Sequence, residues 1–69
     1  MRYFRLKNEY ITLGQLLKAV DIAQDGAEAK YMILDGLASV NGETELRRGR
    51  KLYDGDIVTV GKDSVQVKV

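Results

Sequence analysis

The apolar residues of this chain change period at Gly36. Between Thr12 and Gly36 they recur as Leu13, Leu16, Leu17 and Val20, and then as Ala29, Met32 and Ile33. A spacing near 3.6 collects such residues into one stripe along a helix. From Ala38 onward the apolar positions alternate instead: Ala38 and Val40, and later Val65, Val67 and Val69. Alternation puts them on one face of a strand. A helical part followed by a stranded part predicts an α+β domain, a two-helix hairpin packed on a small antiparallel sheet.

Local signals set the boundaries. Thr12 is a good N-cap, Gln15 completes a capping box, and Ile11 with Leu16 forms a hydrophobic staple. The second helix opens with Asp25 as N-cap and Glu28 as its partner, two acids that suit the positive end of the helix dipole. Gly36 is placed for the left-handed residue that ends it. Few residues separate the helices, so they should lie antiparallel. Ahead of them, Phe4 and Leu6 alternate with Arg5 and Lys7, predicting a strand over Tyr3–Lys7. Asn41-Gly42 after Val40 predicts a type I′ hairpin turn with Glu43–Leu46 returning. Tyr53-Asp54-Gly55-Asp56 and Gly61-Lys62-Asp63 read as turns around a strand at Ile57–Val60, with a last strand through Val69.

With 69 residues the chain has room for one domain, residues 1–69. A domain of this size buries roughly 60% of the surface its unfolded chain exposes. There is no cysteine to form disulfides or thiolate ligands, and no histidine, the commonest general base and metal ligand. No metal and no cofactor are therefore expected. No apolar run approaches the ~20 residues of a membrane span, and the first residues lack a signal-peptide core, so a soluble, unprocessed, cytoplasmic protein is expected.

Catalysis has little to stand on. Ser39, Thr44, Thr59 and Ser64 have no histidine to activate them, and the glycines match no phosphate loop or dinucleotide fingerprint. The acid pairs Asp54/Asp56 and Glu43/Glu45 read as turn chemistry and solvent-facing strand positions. No catalytic residue is expected.

Charge distribution says more than the net charge of +1. Between Ala19 and Leu46 the only basic residue is Lys30, among six acids. Arg47-Arg48-Gly49-Arg50-Lys51 then places four cations in five positions. Such a segment can be a phosphate-binding surface, with arginine forks pairing to phosphate, or a solvated loop that shields a strand edge. Tyr53 beside it is placed to stack on a base, whereas Tyr3, Tyr10 and Tyr31 read as half-buried packing residues.

The order of elements and the stretch Ala29-Lys30-Tyr31-Met32-Ile33-Leu34-Asp35-Gly36-Leu37-Ala38-Ser39-Val40-Asn41-Gly42 resemble the RNA-binding domain named after small-subunit ribosomal protein S-four. Arg47–Lys51 and Gly55-Asp56-Ile57-Val58 are similar to its short, stand-alone branch; the resemblance runs from about residue 11 to residue 60. It implies an αL-type RNA-binding fold and a non-catalytic protein that binds structured RNA, with ribosomal RNA and tRNA as candidates. Two departures stand out. Many members open the first helix with Arg-Leu-Asp, where this chain has Thr12-Leu13-Gly14, and the second with Ser-Arg, where it has Asp25-Gly26. RNA contact would then lean on Lys18, Lys30, Arg47, Arg48, Arg50 and Lys51, with Tyr53. These cations should share one surface. The alternative is a protein-interaction adaptor that keeps the fold without RNA affinity.

Overall fold

Both helices start where their caps place them. In the computed structural model, which describes Met1–Val69, α1 spans Leu13–Ala19 and α2 spans Gly26–Leu34. The Thr12–Gln15 box is formed in both directions, backbone N–H to side-chain oxygen, at 3.3 and 3.1 Å. At α2 the Asp25 carboxylate accepts from the Glu28 N–H at 2.8 Å, but Glu28 reaches one residue further back, accepting from the Gln24 N–H. Gly36 has φ +78°, the left-handed conformation expected after α2.

The strands are β1 (Arg2–Arg5), β2 (Ile11–Thr12), β3 (Ala38–Val40), β4 (Glu43–Thr44), β5 (Lys51–Leu52), β6 (Ile57–Val60) and β7 (Asp63–Lys68). Five form one sheet in the order β1-β7-β6-β3-β4, while β2 and β5 pair separately. Registers such as Ala38 opposite Val60 and Val58 opposite Val65 put the valines and Ala38 on a common face. There they meet Leu13, Leu16 and Leu17 of α1 and Ala29 and Ile33 of α2 in one core. The α+β architecture, a helical hairpin on a small sheet, is the one expected.

One pairing corrects the expected all-antiparallel sheet: β1 lies parallel to β7, Arg2 opposite Val65 through Arg5 opposite Lys68. Short turns force neighbouring strands to run antiparallel, whereas these two are joined by nearly the whole chain, helices included, and no turn constrains them. Smaller differences sit at element ends. β1 starts at Arg2, the return strand β4 ends at Thr44 instead of Leu46, and Val69 lies exposed beyond β7. Tyr3 and Tyr31, expected half-buried, are exposed.

The far end of the sheet is closed by two turns that share side chains. Asn41 (φ 52°) and Gly42 (φ 88°) take the positive angles of a type I′ turn. The Asn41 amide donates to Asp56 at 3.0 Å, and its oxygen accepts from the Ile57 N–H at 2.9 Å. The second Asp56 oxygen accepts from the Tyr53 N–H at 2.8 Å. Asp54 accepts from the Val69 N–H at 3.0 Å, so both aspartates of this pair are turn residues.

Candidate nucleic-acid interface

The basic segment folds back onto the start of α1. Lys51 pairs with Thr12 in the β2–β5 ladder. Just before it, the Arg50 and Arg48 carbonyls accept from the Leu13 and Gly14 N–H groups at 2.9 and 3.0 Å. The first N–H groups of a helix have no partner within it, and here the loop supplies two. Gly14 makes room for the Arg48 side chain against α1: a Cβ at that position would lie 2.8 Å from Arg48 Cγ. The Thr12-Leu13-Gly14 departure thus has a local reason, a helix start shaped to seat the arginine loop.

Glu45 fixes the loop from the other side. Its N–H bonds to the Ala38 carbonyl at 3.0 Å, extending the β3–β4 ladder by a rung. Residues opposite each other in a ladder share a face, and Ala38 faces the core, so Glu45 turns inward. It is 8% exposed, which corrects the expected solvent-facing position. One carboxylate oxygen accepts from the Arg47 N–H and Nε, both at 3.0 Å; the other accepts from Arg47 Nη2 at 3.1 Å and Arg50 Nη1 at 3.0 Å. The hydrogen bonds from the Arg47 and then the Arg50 side chain, more than their charges, pull the Glu45 carboxyl down to about 2. The same bond pushes Arg47 upward. Two cations and one anion leave a net positive charge on this cluster, with the Arg47 side chain largely at the surface. Arg48 and Lys51 enter no salt bridge.

Two depressions run along this surface. A groove of about 250 Å3 between the helix starts is lined by Gly14, Gln15 and Lys18 of α1, Gly26 and Ala29 of α2, and Arg48 and Gly49 of the loop. The second is lined by Arg47, Gly49, Arg50 and Lys51, so Gly49 joins the two. Five of the six expected cations therefore border one continuous surface. Lys30 does not: it is exposed one turn beyond Gly26 on α2 and lines neither depression. Tyr53 lies next to Tyr10, ring centroids 6.1 Å apart, and the Lys51 ammonium sits 4.8 Å from the centre of the Tyr10 ring. Tyr10, expected as packing, is 40% exposed and belongs to the same surface as Tyr53. The sequence reading missed Gly14, Glu45 and Tyr10. For Glu45 a signal existed, because a two-residue turn at Asn41-Gly42 makes Val40 pair with Glu43 and Ala38 with Glu45.

The sequence profile of the S4 domain matches residues 4–68. The chain belongs to the S4 domain family. This S4 domain is 48% identical over 63 residues to a Bacillus subtilis (strain 168) protein named "Probable ribosome maturation protein RlbA", covering 90% of this chain and 89% of that one. It is 36% identical over 61 residues to YbcJ of Escherichia coli (strain K12), covering 88% and 87%. The solution structure of YbcJ, described as revealing an ALFAL motif involved in RNA binding, superposes with a TM-score of 0.76 over 100% of this chain and 89% of that one.

Proposed function

We propose that this S4 domain is a non-catalytic, cytoplasmic binder of structured RNA that grips phosphates with Arg47, Arg48, Arg50, Lys51 and Lys18. One observation carries the proposal: an arginine loop held on both sides, by α1 N–H groups and by Glu45, presents its cations along a continuous surface with Lys18. Fixed guanidinium groups lose less freedom on meeting phosphate than free ones, and their fork matches phosphate oxygens. The groove offers cations, backbone and small side chains, a surface for binding and not a reaction centre. Lys30 would extend the contact along α2. The RNA association of YbcJ and the ribosome maturation name of RlbA support the same direction, with ribosomal RNA as the first candidate. No helix is long and apolar enough to cross a membrane, consistent with a cytoplasmic site of action.

The adaptor reading draws on a different place. Leu37 just before β3, Leu46 just beyond β4 and Leu34 at the end of α2 are all more than half exposed. A salt titration decides between them. The four loop cations contribute about −3 to the slope of log affinity against log salt, at about −0.7 per phosphate on a single strand. That corresponds to a loss of roughly 50-fold between 50 and 200 mM. Changing Arg47, Arg48, Arg50 and Lys51 together to Ser should flatten the slope toward that of Lys18 alone. No RNA binding by the wild type at low salt would favour the adaptor.

A further inference from the structure

The two-stranded β2–β5 ladder arranges side chains that phosphate binding alone does not require. Ile11 faces Leu52 and Thr12 faces Lys51, so the next rung sets Tyr10 against Tyr53. Ile11 and Leu52 pack with the core, Leu52 fully buried. By alternation, Tyr10, Thr12, Lys51 and Tyr53 share the outward face. The two rings are tilted by 52° and are 40% and 45% exposed. Their centroids lie 6.1 Å apart, with the Lys51 ammonium 4.8 Å from the Tyr10 ring centre. Exposed aromatic rings beside a cation match the two halves of one nucleotide, a flat base and its phosphate. The cluster is also continuous with the groove: Thr12 and Gln15 line the groove, and Gln15 together with Tyr10 lines a further hollow that takes in Phe4 and Arg5 of β1.

We infer that Tyr10, Tyr53 and Lys51 form a one-nucleotide subsite that takes an unpaired base by stacking, with its phosphate at Lys51, so that this domain prefers RNA carrying an unstacked nucleotide over a fully paired helix. The inference rests on the proposed RNA binding and adds a selectivity that phosphate contacts cannot supply, since phosphates are alike in both RNAs. An unpaired base has an open face, whereas a paired one is already stacked on its neighbours.

The test compares two RNA hairpins of equal length and charge, one fully paired in its stem and one with a single-nucleotide bulge carrying 2-aminopurine. The wild type should bind the bulged hairpin about 5- to 150-fold more tightly, the span that one base–aromatic stack gives, with quenching of the 2-aminopurine emission. The Y10A/Y53A double variant should bind both hairpins equally, at the wild-type affinity for the paired one and with the same salt slope, and should not quench. Y10F/Y53F should keep the preference. Y10L/Y53L, which retains apolar cover without flat rings, should lose it, and so separates stacking from folding should the alanine variant melt. Equal wild-type binding to both hairpins, or a preference that survives Y10L/Y53L, overturns the subsite and leaves RNA binding intact. If the wild type binds neither hairpin at low salt, the subsite and the RNA reading fall together.

Discussion

The β-rich half has two polar, glycine-containing loop regions, the linked turns at Asn41-Gly42 and Tyr53–Asp56 and the loop over residues 47–51 between them in sequence, and they use their polar groups in opposite ways. At Asn41-Gly42 and Tyr53–Asp56, the Asp56 carboxylate and the Asn41 amide are both occupied in holding two turns together. In the 47–51 loop the backbone is held just as firmly, by Leu13, Gly14 and Glu45, but Arg48 and Lys51 have no acidic partner and Arg47 remains largely exposed. A loop whose polar groups satisfy one another is scaffold. A loop with an anchored backbone and surplus charge has binding capacity left over, and this difference separates the two loops better than composition does.

The contrast predicts that scaffold lesions move stability and leave affinity alone. Asn41→Ala removes both side-chain bonds between the turns and puts an alanine at φ 52°, where the left-handed conformation costs it energy. Strain and lost hydrogen bonds together should cost about 2 kcal/mol. For a domain of this length that lowers the Tm by roughly 8–16 °C. RNA affinity, measured well below the new Tm, should match the wild type. A fall in affinity there, without unfolding, would mean the two loops are coupled and the division is wrong.

A smaller effect of opposite kind is expected from glycine replacements at the two helix starts. Gly14→Ala sets a Cβ 2.8 Å from Arg48 Cγ, so the Arg48 side chain must swing away, while the Arg48 carbonyl at 3.5 Å stays in ordinary contact. We expect the salt slope to weaken by about 0.7, one phosphate contact, as the displaced Arg48 guanidinium leaves the groove. Gly26→Ala is the control, because nothing lies within 4 Å of the Cβ it would add. It should leave the slope unchanged and raise stability by about 0.4–1 kcal/mol through the unfolded chain. Melts and titrations on both variants check the pair. Equal slopes for the two would show that Gly14 does not seat the arginine loop.

Gly14 also marks where sequence reasoning stops. The caps at Thr12 and Asp25, the turn at Asn41-Gly42 and the core stripe of Leu13, Leu16 and Leu17 were legible because each depends on residues a few positions apart. The parallel β1–β7 pairing joins opposite ends of the chain, and no local pattern encodes it. Of the interface, the basic run and Lys18 could be read as charges, yet their convergence is tertiary: Gly14 matters only once Arg48 lies on it. Lys30 shows the converse, a cation in the sequence that the α2 geometry leaves outside the groove. Tyr10 looked like packing, since nothing near it in sequence reveals that β5 brings Tyr53 and Lys51 alongside.

The finest test of an anchored loop is the pH response of its anchor. Glu45 titrates at about 2 in the folded protein against an ordinary value of 4.5, because Arg47 and Arg50 hydrogen-bond its ionised form. A carboxyl depressed on folding contributes stability that is fully present above the unfolded value and lost as pH falls through the folded one. Relative to a Glu45→Gln variant, the wild type should therefore have a higher Tm that is constant from pH 7 to about pH 5. The gap should narrow below about 4.5 and close near 2. The other carboxylates are present in both proteins and largely cancel in the difference. The glutamine keeps one oxygen and adds donors that cannot face two guanidinium groups, so it should not restore the anchor. RNA binding should change little: removing an anion strengthens attraction to phosphate, while releasing Arg47 and Arg50 weakens it, and the cations counted by the salt slope all remain. A Tm gap that persists at pH 2 would place Glu45's contribution in packing, and no gap at pH 7 would show that the loop is held by α1 alone.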